Sequence, residues 1–211
     1  MADALSVRDG LAELAADGAW TAAQLRARQR AWGLPDLGGC VQRLPVRLRP
    51  TAWAHRRVFS TVVQPSAAGT ALLRAAGVRP QEIRPQELEH ALGLAELRFR
   101  CGARRCGYHA QDALGREHRR ARALGGAGFG GAVADGLMRT PHGVILLEYD
   151  HGRYTGAQVR EKLRAQRALV RWDSARVLGA IWGAPTERRA TWLRGLGVGE
   201  VVVLPPETWL G

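Results

Sequence analysis

The residues with the clearest capacity for chemistry lie between positions 131 and 168, in the stretch GAVADGLMRTPHGVILLEYDHGRYTGAQVREKLRAQRA. An apolar run, Val144 to Leu147, leads directly into Glu148, Tyr149 and Asp150. Glu148 and Asp150 stand at i and i+2, so on an extended strand they share one face. Asp135 precedes the run, and a hairpin through Thr140-Pro-His-Gly143 brings it towards the same strand end. Carboxylates gathered at the end of a buried sheet repel one another and require a cation. Their hard oxygen atoms suit magnesium or manganese, with Asp135 and Glu148 as the expected ligands.

Lys162 sharpens this expectation. It is the only lysine among the 31 basic side chains. A codon bias towards arginine accounts for the others, but not for the position of this one. On an expected helix over 156–170 the apolar stripe is Val159, Leu163, Leu169 and Val170, and Lys162 lies at its edge. From there the aliphatic stem can follow the apolar surface while the ammonium reaches the strand ends. The same residues also admit a plainer reading, a solvated helix lysine beside ordinary strand-end charges.

The elements that must position these groups follow from pattern. Residues 86–100 read as a helix with Leu88, Leu92, Ala95, Leu97 and Phe99 apolar, and with Glu89, His90 and Glu96 also on it. A satisfied core histidine is the simplest reading of His90. The run 116–122 (REHRRAR) is expected as a first core strand, with Glu117 and His118 near the site and Arg119 suited to a phosphate backbone; a solvated basic face fits equally. The glycine-rich segment 125–131 reads as a loop and lacks the Lys-Ser/Thr of a phosphate-binding loop. Strands over 177–182 and 201–204 bracket a helix over 186–196. Residues 86–211 thus order as helix, three strands, helix, strand, helix, strand, which predicts a mixed sheet flanked by helices.

The N-terminal half reads differently. Helices are expected over 6–17 and 22–29, with a third, short one after Pro35-Asp36 carrying Val41 and Leu44. Extended stretches follow over 46–49 and 57–63, joined by a loop over 50–55, and then a helix capped by Ser66 and stopped by Gly77. Three helices and a two-stranded ribbon are the order of a winged helix-turn-helix. Arg43, Arg47, Arg49, Arg56 and Arg57 would then cluster on the third helix and wing, where arginine binds phosphates and guanine edges. A small structural domain with solvated arginines is the alternative. The proline-bearing segment GVRPQEIRP predicts domains over 1–78 and 86–211, joined by a linker over 79–85. The fold class expected is α+β or α/β.

Composition narrows the partner. The 211 residues carry a formal net charge of +12, and 46% are hydrophobic. Codon bias exchanges lysine for arginine but does not create excess charge, so an anionic partner is favoured, double-stranded DNA first. No apolar run is long enough to span a membrane, and the start of the chain lacks the pattern of a signal peptide. Three cysteines, an odd number, fit a reducing cytoplasm. Cys40, Cys101, Cys106 and His109 are too loosely spaced for a convincing zinc site. A homodimer is compatible with all of this.

Asp135 followed by Glu148-Tyr149-Asp150 resembles the PD-(D/E)XK nuclease superfamily, with Asp150 in the position of that motif's lysine. More narrowly, Ala134-Asp135-Gly136, then Leu147-Glu148-Tyr149-Asp150-His151-Gly152, then the Lys162-Leu163 helix, resemble the replication-relaxation family of plasmid- and phage-linked proteins. The resemblance implies a winged-helix N-terminal half and a restriction-endonuclease-like C-terminal half. It implies that Lys162 stands in for the displaced lysine, and it matches a family histidine to His90. Asp150 would be a further ligand or would orient Lys162. Two functions follow from it: a magnesium-dependent endodeoxyribonuclease linked to plasmid or mobile-element replication, or a non-catalytic DNA-binding replication or regulatory factor that keeps the nuclease fold as a scaffold.

Overall fold

A computed structural model describes residues 6–78, 80, 83–102, 134–172 and 176–211. The described residues form an α+β protein with two sheets. Helix α1, Val7–Asp17, begins at Ser6, whose hydroxyl and Asp9 form a reciprocal cap. Strand β1, Trp20–Thr21, leads into α2, Ala22–Trp32, which Thr21 and Gln24 cap in the same way.

The third helix expected after Pro35-Asp36 does not form. Gly38–Cys40 makes a single 3-10 turn, and Val41 already begins strand β2, Val41–Leu48. Two adjacent glycines weaken a helix here, and Pro45 would break one. Pro45 is tolerated in β2 because the sheet order β1-β3-β2 leaves that strand at an edge. Strand β3, Val58–Pro65, pairs antiparallel with β2 over its full length, from Val41↔Pro65 to Leu48↔Val58. Helix α3, Ala67–Ala75, starts at the Ser66 cap. Leu11, Leu14, Trp20, Leu25, Val63 and Leu73 form the core beneath.

In the second half, α4 (Leu88–Arg100) precedes the hairpin of β4 (Gly136–Thr140) and β5 (Gly143–Tyr149). Thr140 Oγ1 accepts from the amides of His142 and Gly143 and fixes the turn. Helix α5 (Gly156–Trp172), β6 (Val177–Ala184), α6 (Glu187–Gly195) and β7 (Glu200–Val203) complete a sheet of order β4-β5-β6-β7. The first pair is antiparallel and the other two are parallel. The expected strand over 116–122, with Arg119, and the glycine-rich loop over 125–131 lie outside the described residues.

Strand alternation sorts the side chains of this sheet. Leu147, Tyr149 and Ile181 meet Leu94 and Leu97 of α4. Leu146 and Val177 meet Leu169 of α5, while Trp182 and Ala184 meet Val159, Leu163, Ala190 and Leu193 of α5 and α6.

Helix α4, which follows the boundary expected at 79–85, contributes to the cores of both halves. Ala95 packs with the N-terminal cluster, and Leu92 packs with Ala19, Leu48, Val62 and the C-terminal Trp209. A buried polar layer joins α4 to α1 and α2. Arg98 pairs with Asp17 at 2.7 Å and Glu13 at 3.3 Å, and Gln24 donates to the Leu92 carbonyl and to Glu96. Arg28 donates to the Ala95 carbonyl and lies over the Trp20 and Phe99 rings; burial lowers its pKa to about 10. Charges buried this way are stable only while every partner is present, so each half completes the other.

Candidate functional site

The site is assembled at one end of the β4–β5 hairpin. Asp135 immediately precedes β4, and its amide donates to the Leu147 carbonyl, which sets its carboxylate beside β5. Asp135 Oδ2 accepts from the Tyr149 amide and lies 3.0 Å from His90 Nε2. Lys162 Nζ stands 3.6 Å from Asp135 Oδ1 and 2.5 Å from Glu148 Oε1. His90 comes from α4 and Lys162 from α5, so the two helices covering opposite faces of the sheet both reach Asp135. The Tyr154 hydroxyl also donates to Glu148 Oε1, at 2.7 Å, and its ring lies beneath the ammonium of Lys162, 5.1 Å from the centroid.

The electrostatics divide the two carboxyls. Burial, together with the neighbouring charge of Asp135, pushes Glu148 well above the usual carboxylate range, and Lys162 only partly offsets this. Burial also acts upward on Asp135, but the charge and hydrogen bond of His90, with Lys162 behind them, outweigh it and hold Asp135 well below that range. His90 and Lys162 are in turn both raised against their own burial, each chiefly by Asp135. Tyr154 is raised by burial and by the carboxylates around it, so it remains a phenol and a donor.

Glu148 and Asp150 leave the strand on the same side, but they meet different helices. Glu148 faces α5 and Lys162. Asp150 faces the first turn of α6, where Arg189 Nε and Nη2 hold its Oδ2 at 2.7 and 2.6 Å. The other oxygen, Oδ1, accepts from the Gly152 amide at 2.7 Å and the Tyr154 amide at 3.5 Å. Asp150 therefore fixes the turn over 150–154 and the N-terminus of α6, and its ion pair is with Arg189. Arg189 also donates to the Tyr154 carbonyl and stacks on Trp192.

The pair Asp135 and Glu148 suits a hard cation. Glu148 Oε2 is buried with no hydrogen-bond donor among the described residues, and Glu148 and Asp135 share a side-chain hydrogen bond when Glu148 holds a proton; a carboxyl pair of this kind is satisfied by a proton or by a metal. Among the described residues no group of three His, Cys, Asp or Glu side chains is arranged to hold a metal ion. Asp135 and Glu148 would supply two ligands, with water or phosphate oxygens completing the shell.

Of the arginines expected at DNA, Arg43 and Arg47 are exposed on β2, and Arg49, Arg56 and Arg57 are exposed on the β2–β3 loop. Arg43 is a strand residue, not part of a recognition helix. Arg119 lies outside the described residues, as do Cys106 and His109. Tyr154 and Arg189 were not singled out by sequence reasoning. Tyr154 had a weak signal, four positions after Asp150. Arg189 had none, being one of many arginines. No helix among the described residues is long and apolar enough to cross a membrane. No family model, curated protein or solved structure matches the chain.

Proposed function

We propose that this chain is a DNA-binding protein whose C-terminal half is a nuclease-like core, acting on phosphodiesters with magnesium or manganese. The observation that carries the reading is the convergence of Asp135, Glu148 and the single lysine, Lys162, at one sheet end, with no donor supplied to Glu148 Oε2 among the described residues. The sheet order, an antiparallel hairpin followed by parallel strands and flanked by helices, supports a restriction-endonuclease-like core. Helix, strand, helix and ribbon in the N-terminal half support a winged-helix relative that has a 3-10 turn in place of its third helix. Plasmid or mobile-element replication in the cytoplasm, and a homodimer, belong to the same proposal.

Asp135 and Glu148 would hold the ion, which when bound activates water and neutralises charge on the phosphate. His90 keeps Asp135 ionised and turned towards the site. Tyr154 fixes Glu148 through Oε1, so that Oε2 remains available. Lys162 donates to a phosphoryl oxygen or orients the attacking water, where its charge counts most as negative charge develops.

One observation favours the second reading, a non-catalytic DNA-binding factor. The Lys162 ammonium already lies between the two carboxyl groups, so the chain itself supplies part of the positive charge that an ion would bring. Supercoiled plasmid incubated with magnesium separates the two. The enzyme nicks it, and Glu148→Gln and Lys162→Ala each reduce nicking by at least a hundredfold, the range for loss of one transition-state donor or metal ligand. Intact plasmid with wild-type protein assigns the site to the scaffold reading.

A further inference from the structure

The β2–β3 loop, residues 49–57, lies against the turn that follows Glu148. The Ala52 amide donates to the His151 carbonyl at 3.0 Å, and His151 Nε2 lies 3.2 Å from the Arg49 carbonyl. Trp53 Nε1 donates to the Gly152 carbonyl at 2.6 Å. Gly152 is buried at φ +97°, and the edge of the Trp53 ring lies 3.4 Å from where a Cβ on Gly152 would stand. Trp53 is nevertheless 75% exposed. One edge of the indole is fixed and its surface is open to solvent. Arg49, His55, Arg56 and Arg57 on the same loop are also exposed.

A tryptophan held by its N–H has given up rotational freedom without gaining burial, and nothing in the core requires this. An aromatic face fixed among arginines is what an unstacked base requires, because each base has a π-face and its phosphate needs a cation. Fully paired duplex offers no such face within its length, since its bases are stacked on one another. We infer that Trp53 is a stacking platform for an unpaired base, and that the DNA this protein engages contains a junction between duplex and single strand. The platform is attached at Gly152, four residues after Glu148, so a base stacked on it would set the strand in register with the carboxylate–lysine group. The inference rests on the proposed DNA-binding reading and adds the substrate class.

Anisotropy titrations without added metal would compare a blunt duplex with the same duplex carrying an unpaired arm, over a series of salt concentrations. The wild type is expected to bind the forked DNA roughly tenfold more tightly, the effect of about one stacked base. Trp53→Ala should bring the ratio of the two affinities to one while leaving the salt slope of forked-DNA binding unchanged, because stacking releases no counterions. Trp53→Phe, which retains a ring but loses the N–H, should keep most of the ratio. Arg56→Ala and Arg57→Ala should each lower the salt slope by about one and keep the ratio. Equal wild-type affinity for the two DNAs, or an unchanged ratio in Trp53→Ala, overturns the platform while leaving duplex binding intact. Salt-independent binding, or none to either DNA, overturns the DNA-binding reading and the platform with it.

Discussion

At the level of single residues, the site is a set of groups whose protonation states depend on one another. Glu148 faces Asp135, Lys162 and Tyr154, and its pKa is raised from 4.5, so the stability it contributes is present below that value and lost as pH rises through the raised one. His90, raised from 6.5, behaves in the same sense at higher pH. Asp135, lowered from 3.8, contributes above that value and loses its contribution only in stronger acid. Lys162, raised from 10.5, adds nothing to the neutral range. The metal-free protein should therefore lose stability as pH rises above 4.5, and further as it rises above 6.5. Glu148→Gln, which has no proton to lose, should flatten that decline in melting temperature. Parallel declines in wild type and variant would show that Glu148 is not the buried, raised carboxyl described here.

At the level of elements, α4 is placed by a glycine. A Cβ on Gly93 would lie 1.9 Å from Tyr149 Cε1, and one on Gly183 would lie 2.9 Å from the other side of the same ring. The ring is clasped between α4 and β6, and the Tyr149 backbone in turn holds Asp135. Helix propensity alone predicts that Gly93→Ala stabilises α4 by about 1 kcal/mol. Overpacking predicts a loss of about 1–3 kcal/mol, and the second effect should win because Tyr149 is enclosed. Gly195→Ala, where a Cβ meets nothing within 4 Å, is the control. Thermal melts should show Gly93→Ala lowered and Gly195→Ala level with wild type or above it; a stabilised Gly93→Ala contradicts the packing. The elements themselves were largely legible. Branched apolar runs gave β5 and β6, Ser66 and Thr186 marked helix starts, and Thr140-Pro-His-Gly143 gave the hairpin. The third helix was misread because the i, i+3 spacing of Val41 and Leu44 fits a helix, whereas Gly38-Gly39 and Pro45 favour the extended strand that forms. The placement of Asp150 was not legible: a shared strand face fixes the side of the sheet, not which helix lies above each position.

At the level of the whole molecule, the two halves are joined through α4, through the C-terminal Trp209 and Leu210 beneath β2 and β3, and through the loop that carries Trp53. A surface rich in exposed arginine is therefore in contact, through these elements, with the half that carries the carboxylate–lysine group. The N-terminal half is more than a tether for the C-terminal half, because it supplies the turn at Gly152 with its neighbour. Binding of an ion at the sheet end stabilises the folded chain by mass action. The measurement that tests the account most directly is the melting temperature in millimolar manganese, with Glu148→Gln beside the wild type. Ten times the dissociation constant of ion stabilises by about 1.4 kcal/mol, which for a chain of this size is a rise of roughly 3–6 °C. The account predicts that rise in the wild type and its loss in Glu148→Gln; a wild type whose melting temperature does not move would contradict a cation site at Asp135 and Glu148.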